Sequence, residues 1–383
     1  MTSTPGSHEL ELRHGGNLEA AASRLGCQPH QVLDASASLV PFGPPASLRR
    51  ALRVCLQGGA AGTALRDYPD RSYSRLRSAI AAHHGIDPAA VLPGNGAAEL
   101  FTWAAREAAA AGPSLLPEPG FADYRRALAC WDGAIEPLPL PPPFPSPQRP
   151  TGRRGAQPAW ACPAPFPAPA GPGAALWITN PHNPSGQLWD RRSLELLLDR
   201  FALVIVDEAF LPLVPDGERH SLVPLVADHP QLVVIRSLTK LMAIAGLRLG
   251  YAVAAPARLQ RWQEWRDPWP VNGLAAAVGP LVIADRRWQQ RVQRWVAREG
   301  PWFHRQLDGL PGLSPQAAAA NFLMIRSDRP LLELRERLES RHRILLRDCR
   351  SFAGLGECWL RIGLQDRRGN RRILKALRCE WRE

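Results

Sequence analysis

The chain has 383 residues, a formal net charge of +12, 45% apolar residues and 7% aromatics. That length gives two domains of ordinary size with ample core material, and no apolar run reaches the ~18 residues needed to span a bilayer. The seven cysteines show no Cys-x-x-Cys pair or zinc spacing, and the arginines are dispersed rather than interleaved with aromatics in a block, which argues against a disulfide scaffold, a zinc module and a nucleic-acid binder.

Met1 to His14 is polar, carries Glu9 and Glu11, and lacks a basic region followed by an apolar stretch, so no secretory signal is read there. The expectation is a cytoplasmic protein with reduced thiols. Leu18 to Leu25 reads as a short helix ending at Gly26, and Pro41-Phe42-Gly43-Pro44-Pro45 as a turn-rich connection. Ser47 to Leu56 and Tyr73 to His83 read as helices, the second ended by Gly85. Val91-Leu92-Pro93-Gly94-Asn95-Gly96 reads as a strand end and glycine turn, followed by a helix over Ala97 to Ala111.

From Pro137 to Pro172 the chain holds fourteen prolines and few β-branched residues. Such a segment supplies few ladder hydrogen bonds and is expected as an extended surface insertion. Regular alternation then resumes. Strands are predicted over Ala175 to Thr179, Leu203 to Val206, Leu232 to Ile235 and Gly250 to Ala254, with a helix over Ser193 to Arg200. Short, fully apolar strands separated by helices indicate a sheet covered on both faces. After Leu274 the pattern is helical and Arg/Trp-rich through about Leu307. Strands at Phe322 to Ile325 and Trp359 to Ile362, with helices at Leu331 to Ser340 and Arg371 to Arg378, then suggest a smaller α+β unit. The expected division is an N-terminal arm over 1–45 joining the small domain, a large domain over 46–273, and an interdomain helix with the small domain over 274–383.

Only two lysines occur, Lys240 and Lys375, against forty-five arginines. Lys240 ends the run Leu232-Val233-Val234-Ile235-Arg236-Ser237-Leu238-Thr239-Lys240, where a buried strand meets a polar turn. A guanidinium stays protonated and is a poor nucleophile, whereas an amine can lose its proton and form a Schiff base. A lysine kept here, with Arg248 close behind, suits a phosphorylated aldehyde cofactor. Asn180 and Asn183, two of only seven asparagines, lie in a Pro/Gly-fixed loop after a strand, where an amide can donate to a ligand oxygen or close an Asx turn. Asp207 ends an apolar strand and faces the usual ligand crevice of α/β sheets, where it can pair with a protonated ring nitrogen. Gly94-Asn95-Gly96 before a helix offers free N–H groups to a phosphate, to which Ser237 and Arg248 can add.

In that order these features resemble the fold-type I pyridoxal-phosphate enzymes of the class I/II aminotransferase family, over nearly the whole chain. Within it the resemblance is to the threonine-phosphate decarboxylase branch of cobalamin biosynthesis, sister to the histidinol-phosphate aminotransferases. It is carried by Arg13-His14-Gly15-Gly16-Asn17, Arg66-Asp67-Tyr68-Pro69-Asp70, Pro119-Gly120-Phe121-Ala122-Asp123-Tyr124 and Val206-Asp207-Glu208-Ala209-Phe210. Gly246-Leu247-Arg248-Leu249-Gly250-Tyr251, Pro268-Trp269-Pro270-Val271-Asn272 and Arg343-Ile344-Leu345-Leu346-Arg347 carry it further.

The resemblance implies a pyridoxal 5′-phosphate held by Lys240, with Asp207 on the ring nitrogen, Asn183 on the ring hydroxyl oxygen and Phe121 stacked on the ring. Gly96, Ala97, Ser237 and Arg248 would hold the cofactor phosphate. Arg361 would grip the substrate carboxylate, Arg347 would lie near a substrate phosphate, and Tyr68 would reach the partner's site in a homodimer. The implied reaction is decarboxylation of O-phospho-L-threonine, a small anionic amino-acid phosphate, with no membrane or nucleic acid involved. The rival readings are a histidinol-phosphate-type aminotransferase and a non-catalytic ligand sensor on the same fold. The sensors carry an N-terminal DNA-binding module, for which the roughly forty residues before Pro41 are expected to leave little room. The family's Ser-Ala-Asn-Ile-Asn-Pro loop here reads Ser36-Ala37-Ser38-Leu39-Val40-Pro41, without either amide, and Ala245 stands where the family carries proline.

Overall fold

A computed structural model describes residues 15–57, 63–140, 166–167 and 173–381. Arg13 and His14, and most of the proline-rich stretch, lie outside the described residues. The strands in chain order are β1 (Leu33–Ala35), β2 (Val91–Asn95), β3 (Ser114–Glu118), β4 (Ile135–Pro139), β5 (Gly173–Thr179) and β6 (Phe201–Asp207). They continue as β7 (Leu232–Ser237), β8 (Leu249–Ala254), β9 (Leu313–Gln316), β10 (Phe322–Ser327), β11 (Ile344–Asp348) and β12 (Trp359–Gly363). Seven of them form one sheet, in the order β2-β8-β7-β6-β5-β3-β4, and five form a second, β1-β11-β12-β10-β9. In the larger sheet only β8 runs antiparallel to its neighbours. The predicted α/β architecture, with a smaller second sheet, is therefore present. Among the described residues no helix is long and apolar enough to cross a membrane.

The period-two alternation of the central strands assigns their side chains to two cores. Trp177, Leu203, Ile205, Val233 and Ile235 pack with Leu100, Phe101 and Ala104 of the helix Gly96–Ala111. Ile178, Val204, Val206, Leu232 and Val234 pack on the opposite face, with Val278 and Val282 of the helix Gly273–Ala284 and Trp295 of the helix Arg286–Asp308. By the same parity Thr179, Asp207 and Ser237, at the carboxyl ends of β5, β6 and β7, follow the first set. Arg236 follows the second.

Several elements differ from the sequence reading. The helical stretch after Leu274 is two helices, because Asp285 breaks the backbone and its carboxylate accepts from Trp288 N at 3.0 Å to start the second. The helix expected over Ser193 to Arg200 is a short one, Arg191–Glu195, followed by a tight turn that buries Leu197 and Leu198. The proline-rich stretch begins inside the sheet: Pro137 and Pro139 belong to β4, an edge strand paired on one side only, where a missing N–H leaves no inner ladder bond unmade. Further along, Phe166 is buried edge-to-face on Trp189, with centroids 5.0 Å apart. The arm's β1 adds in parallel to β11, so it completes the smaller sheet.

Candidate active site

The carboxyl edge of β5–β7 is covered by the smaller sheet, leaving a cavity of about 200 Å³. Of the residues singled out in the sequence, Ala97, Phe121, Asn183, Asp207, Ser237, Lys240, Arg248, Arg347 and Arg361 all line it. Gly96 abuts it from behind Arg248: a Cβ there would stand 2.6 Å from the guanidinium Nη2, and its φ of +74° is one that glycine adopts freely. Tyr68 lies outside the cavity, 77% exposed and stacked on Trp269 at 4.3 Å.

Lys240 sits in the one-turn helix Leu238–Leu241, capped by the Ser237 hydroxyl at the end of β7. Its amine makes no hydrogen bond or ion pair among the described residues and lies 5.9 Å from the Phe210 ring centroid. Burial, and then the Arg361 guanidinium, bring its pKa down to about 8. The amine is thus poised as a nucleophile near neutral pH. Asp207 ends β6 nearly fully buried, and burial pushes its pKa up to about 6 despite hydrogen bonds that oppose the shift. Ala209 N donates to Oδ1 at 2.9 Å and the Tyr124 hydroxyl to Oδ2 at 2.7 Å. One carboxylate oxygen therefore closes the turn that follows β6, and each retains a lone pair for a ligand.

The helix Gly96–Ala111 presents its first N–H groups beside Arg248 and Ser237. Gly250 of β8 makes this approach possible, since a Cβ there would meet Ala97 N at 2.8 Å. The result is a cradle of backbone donors, a hydroxyl and a guanidinium, the chemistry that holds a phosphate dianion.

On the opposite wall Arg347 of β11 and Arg361 of β12 are directly paired across an antiparallel ladder. Both are buried, and both are less basic than usual because of that burial, with Arg361 brought down to about 10 by desolvation and then by Arg347. Arg361 donates to Asn183 Oδ1 and, at 3.2 Å, to the Ser36 carbonyl. Its Nε is buried without a hydrogen-bond partner among the described residues. Like charges opposed in a sheet repel, and two buried guanidiniums at a cavity wall are suited to an anion. Arg347 also donates to Ser351 Oγ at 2.7 Å.

The two loop asparagines divide their work. Asn180 serves the loop itself, exchanging two 3.0 Å bonds with the Trp189 backbone, and it is fully buried away from the cavity lining. Asn183 has its oxygen on Arg361 and no bond from Nδ2 among the described residues, which leaves the amide free to donate into the cavity. Other groups in and behind the cavity wall were not given a role in the sequence reading. Tyr124, Ser36 and the ion pair of Arg236 with Glu208 at 2.7 Å behind the β6–β7 edge all help to shape the site. Each lies within a stretch quoted above, and strand parity is the signal that places Arg236 on the far face.

The sequence profile of the family described as aminotransferase class I and II matches residues 32–377. The threonine-phosphate decarboxylase of Salmonella typhimurium is 36% identical, over 95% of this chain and 95% of that protein. The histidinol-phosphate aminotransferase of Symbiobacterium thermophilum is 30% identical, over 95% of this chain and 94% of that protein. Among solved structures, the histidinol-phosphate aminotransferase of Sinorhizobium meliloti, in complex with pyridoxal-5′-phosphate, superposes with a TM-score of 0.77 at 21% identity, covering 99% of this chain and 98% of that one. The fold is therefore fold type I.

Proposed function

This chain belongs to the class I and II aminotransferase family of fold-type I pyridoxal-phosphate enzymes, and from that premise we propose that it decarboxylates O-phospho-L-threonine to CO2 and (R)-1-amino-2-propanol O-2-phosphate, the aminopropanol linker precursor of cobalamin. The observation that carries the reading is the opposed pair of buried guanidiniums, Arg347 and Arg361, on the wall of the Lys240 cavity. A substrate bearing both a carboxylate and a phosphate would satisfy both. The decarboxylase of Salmonella typhimurium, at 36% identity, favours this substrate class.

The residues present fit pyridoxal 5′-phosphate. The glycine-opened cradle of Gly96, Ala97, Ser237 and Arg248 would take its phosphate. Lys240 would hold its aldehyde carbon, Asp207 its ring nitrogen, Asn183 its ring hydroxyl oxygen and Phe121 one ring face. When bound, the cofactor supplies an electron sink for the pair left at the substrate Cα when a bond there breaks. Arg361 would orient the substrate carboxylate and Arg347 would bind near the phosphate. Phe210, Phe121 and Phe352 would give the substrate an apolar surface between the charged groups of the cavity. The Lys240 amine, at the cavity wall, would carry a proton to Cα, which balances the loss of CO2. With its pKa drawn down to about 8, both of its protonation states are accessible under working conditions. Tyr68, exposed on its stack with Trp269, would serve the partner's site in a homodimer.

The relative at 30% identity supports a second reading, a histidinol-phosphate-type aminotransferase built on the same groups. One experiment separates them. Cofactor-loaded protein is incubated with O-phospho-L-threonine, with and without 2-oxoglutarate, and CO2 and amine products are followed. Release of CO2 and aminopropanol phosphate without an acceptor is expected. No CO2, but conversion of the cofactor to its amine form by histidinol phosphate, would replace the decarboxylase with the aminotransferase.

A further inference from the structure

The pairing of β5 with β6 sets Thr179 directly beside Asp207, and parity turns both side chains to the face covered by the helices Gly96–Ala111 and Asp123–Ala129. Tyr124, in the first turn of the second of these, places its hydroxyl on both at once. It lies 2.7 Å from Thr179 Oγ1 and 2.7 Å from Asp207 Oδ2. The ring is fixed from three sides: edge-on to Phe101 at 5.1 Å, edge-on to Phe121 at 5.5 Å, and tilted over Trp177 at 5.0 Å. Only 3% of the residue is exposed. The phenol therefore has no rotational freedom with which to serve another partner, and Phe121, the residue assigned to the ring face, stands three positions earlier on the same turn.

We propose that Tyr124 is a positioning residue for the ring nitrogen: its hydroxyl, aligned by Thr179, fixes the plane of the Asp207 carboxylate and holds it in the ionised form that faces the nitrogen. The inference rests on the pyridoxal-phosphate reading. Burial and the neighbouring carboxylate hold the phenol well above its ordinary pKa, so it remains a donor throughout the working range. Desolvation pushes Asp207 the opposite way, toward the protonated form, and the Tyr124 bond is first among the influences that resist it. A buried carboxylate stripped of that donor would bind its proton more tightly and turn more freely, and both changes weaken its pairing with a protonated nitrogen.

The test compares two probes on the full-length protein: pyridoxal 5′-phosphate, and its 1-deaza analogue with C–H in place of the ring nitrogen. Wild-type protein that fails to bind pyridoxal 5′-phosphate would overturn the cofactor reading itself. Given binding by the wild type, Tyr124→Phe keeps the ring packing and removes only the hydroxyl. Its dissociation constant for pyridoxal 5′-phosphate is expected to rise roughly ten- to hundredfold, as for loss of a charge-assisted hydrogen bond. Affinity for the deaza analogue should stay within about threefold, since that ring has no nitrogen to pair. Equal loss of both probes, or no loss of either, overturns the proposal. Thr179→Val, which leaves the phenol in place, gives an independent arm should the first variant fold poorly. It should show the same selectivity at smaller amplitude, and equal loss of both probes there also overturns the proposal.

Discussion

The two walls of the cavity are built on different principles. One is the carboxyl edge of β6 and β7, where Asp207, Ser237 and Lys240 arrive through strand parity and a one-turn helix. The other is the β11–β12 pair, where Arg347 and Arg361 face each other in register. The first wall uses groups whose chemistry nothing else in the chain could replace: one of two lysines, and a carboxylate ending an apolar strand. The second uses arginine, of which the chain has forty-five, distinguished only by burial and by its opposite number across the ladder. On the proposed function, covalent chemistry leaves a mark in composition, whereas charge recognition becomes visible only once the strands are paired.

The sharpest break of that comparison is Lys240→Ala. Removing the nucleophile should abolish the absorbance of lysine-bound cofactor in the purified protein and lower turnover by at least about a thousandfold, an effect on the scale of losing a covalent catalyst. An unchanged spectrum would end the central assignment. Arg361→Gln attacks the other wall. With one charge-assisted contact gone, KM for O-phospho-L-threonine should rise roughly ten- to hundredfold while cofactor loading is retained. Equal loss of both in a titration of the variant would show that Arg361, through Asn183 and Ser36, supports the fold of both walls rather than the substrate.

The charges on the two walls also strain the unliganded protein, in a direction set by their pKa values. Lys240 releases its proton at about 8 in the folded state, against an ordinary 10.5. Between those values unfolding takes up a proton, so this group's contribution to stability rises with pH across the window. Lys240→Met should accordingly stabilise the cofactor-free protein at pH 7 by roughly 1–3 kcal/mol. The gain should shrink as pH rises from 8 toward 10.5, as read by denaturant unfolding at several pH values. A gain that did not change with pH would mean that the methionine acts by packing alone.

The same division governs what could be read from the sequence. The central strands β5 to β8, the cradle and the lysine turn were legible because buried parallel strands are short apolar runs ended by polar residues. β3 and β4 were not, because Pro117, Pro137 and Pro139 argue against strands unless the edge position of β4 is known. The helix Pro256–Trp265 and the strands β9 and β11 were also missed: Leu313-Ser314-Pro315-Gln316 is too short to show a period, and the three apolar residues Ile344 to Leu346 are too few to separate strand from helix until the partners β1 and β12 are seen. Tyr124 lay within a quoted motif, yet its role depends on the register of Thr179 against Asp207, which no spacing along one chain reveals.

The smallest effect probes the loop that joins the two walls. Ser36 and Ala37 are tied to the Asp34 carboxylate by backbone bonds of 2.8 and 3.2 Å, and Asn321 holds the Ser38 carbonyl at 3.1 Å. The Ser38 hydroxyl, by contrast, is buried with no hydrogen-bond partner among the described residues, and it lines the cavity where the family carries an amide. A buried hydroxyl left unpaired costs stability until a ligand accepts from it or donates to it. Ser38→Ala should therefore leave the unliganded protein as stable as before or up to about 1 kcal/mol more stable. If a substrate oxygen is the missing partner, the same variant should raise KM for O-phospho-L-threonine by about two- to tenfold, the usual worth of one neutral hydrogen bond. A variant with lower stability and unchanged KM would place the hydroxyl in the scaffold, and the altered loop would then act by the space its smaller side chain leaves in the cavity rather than by contact.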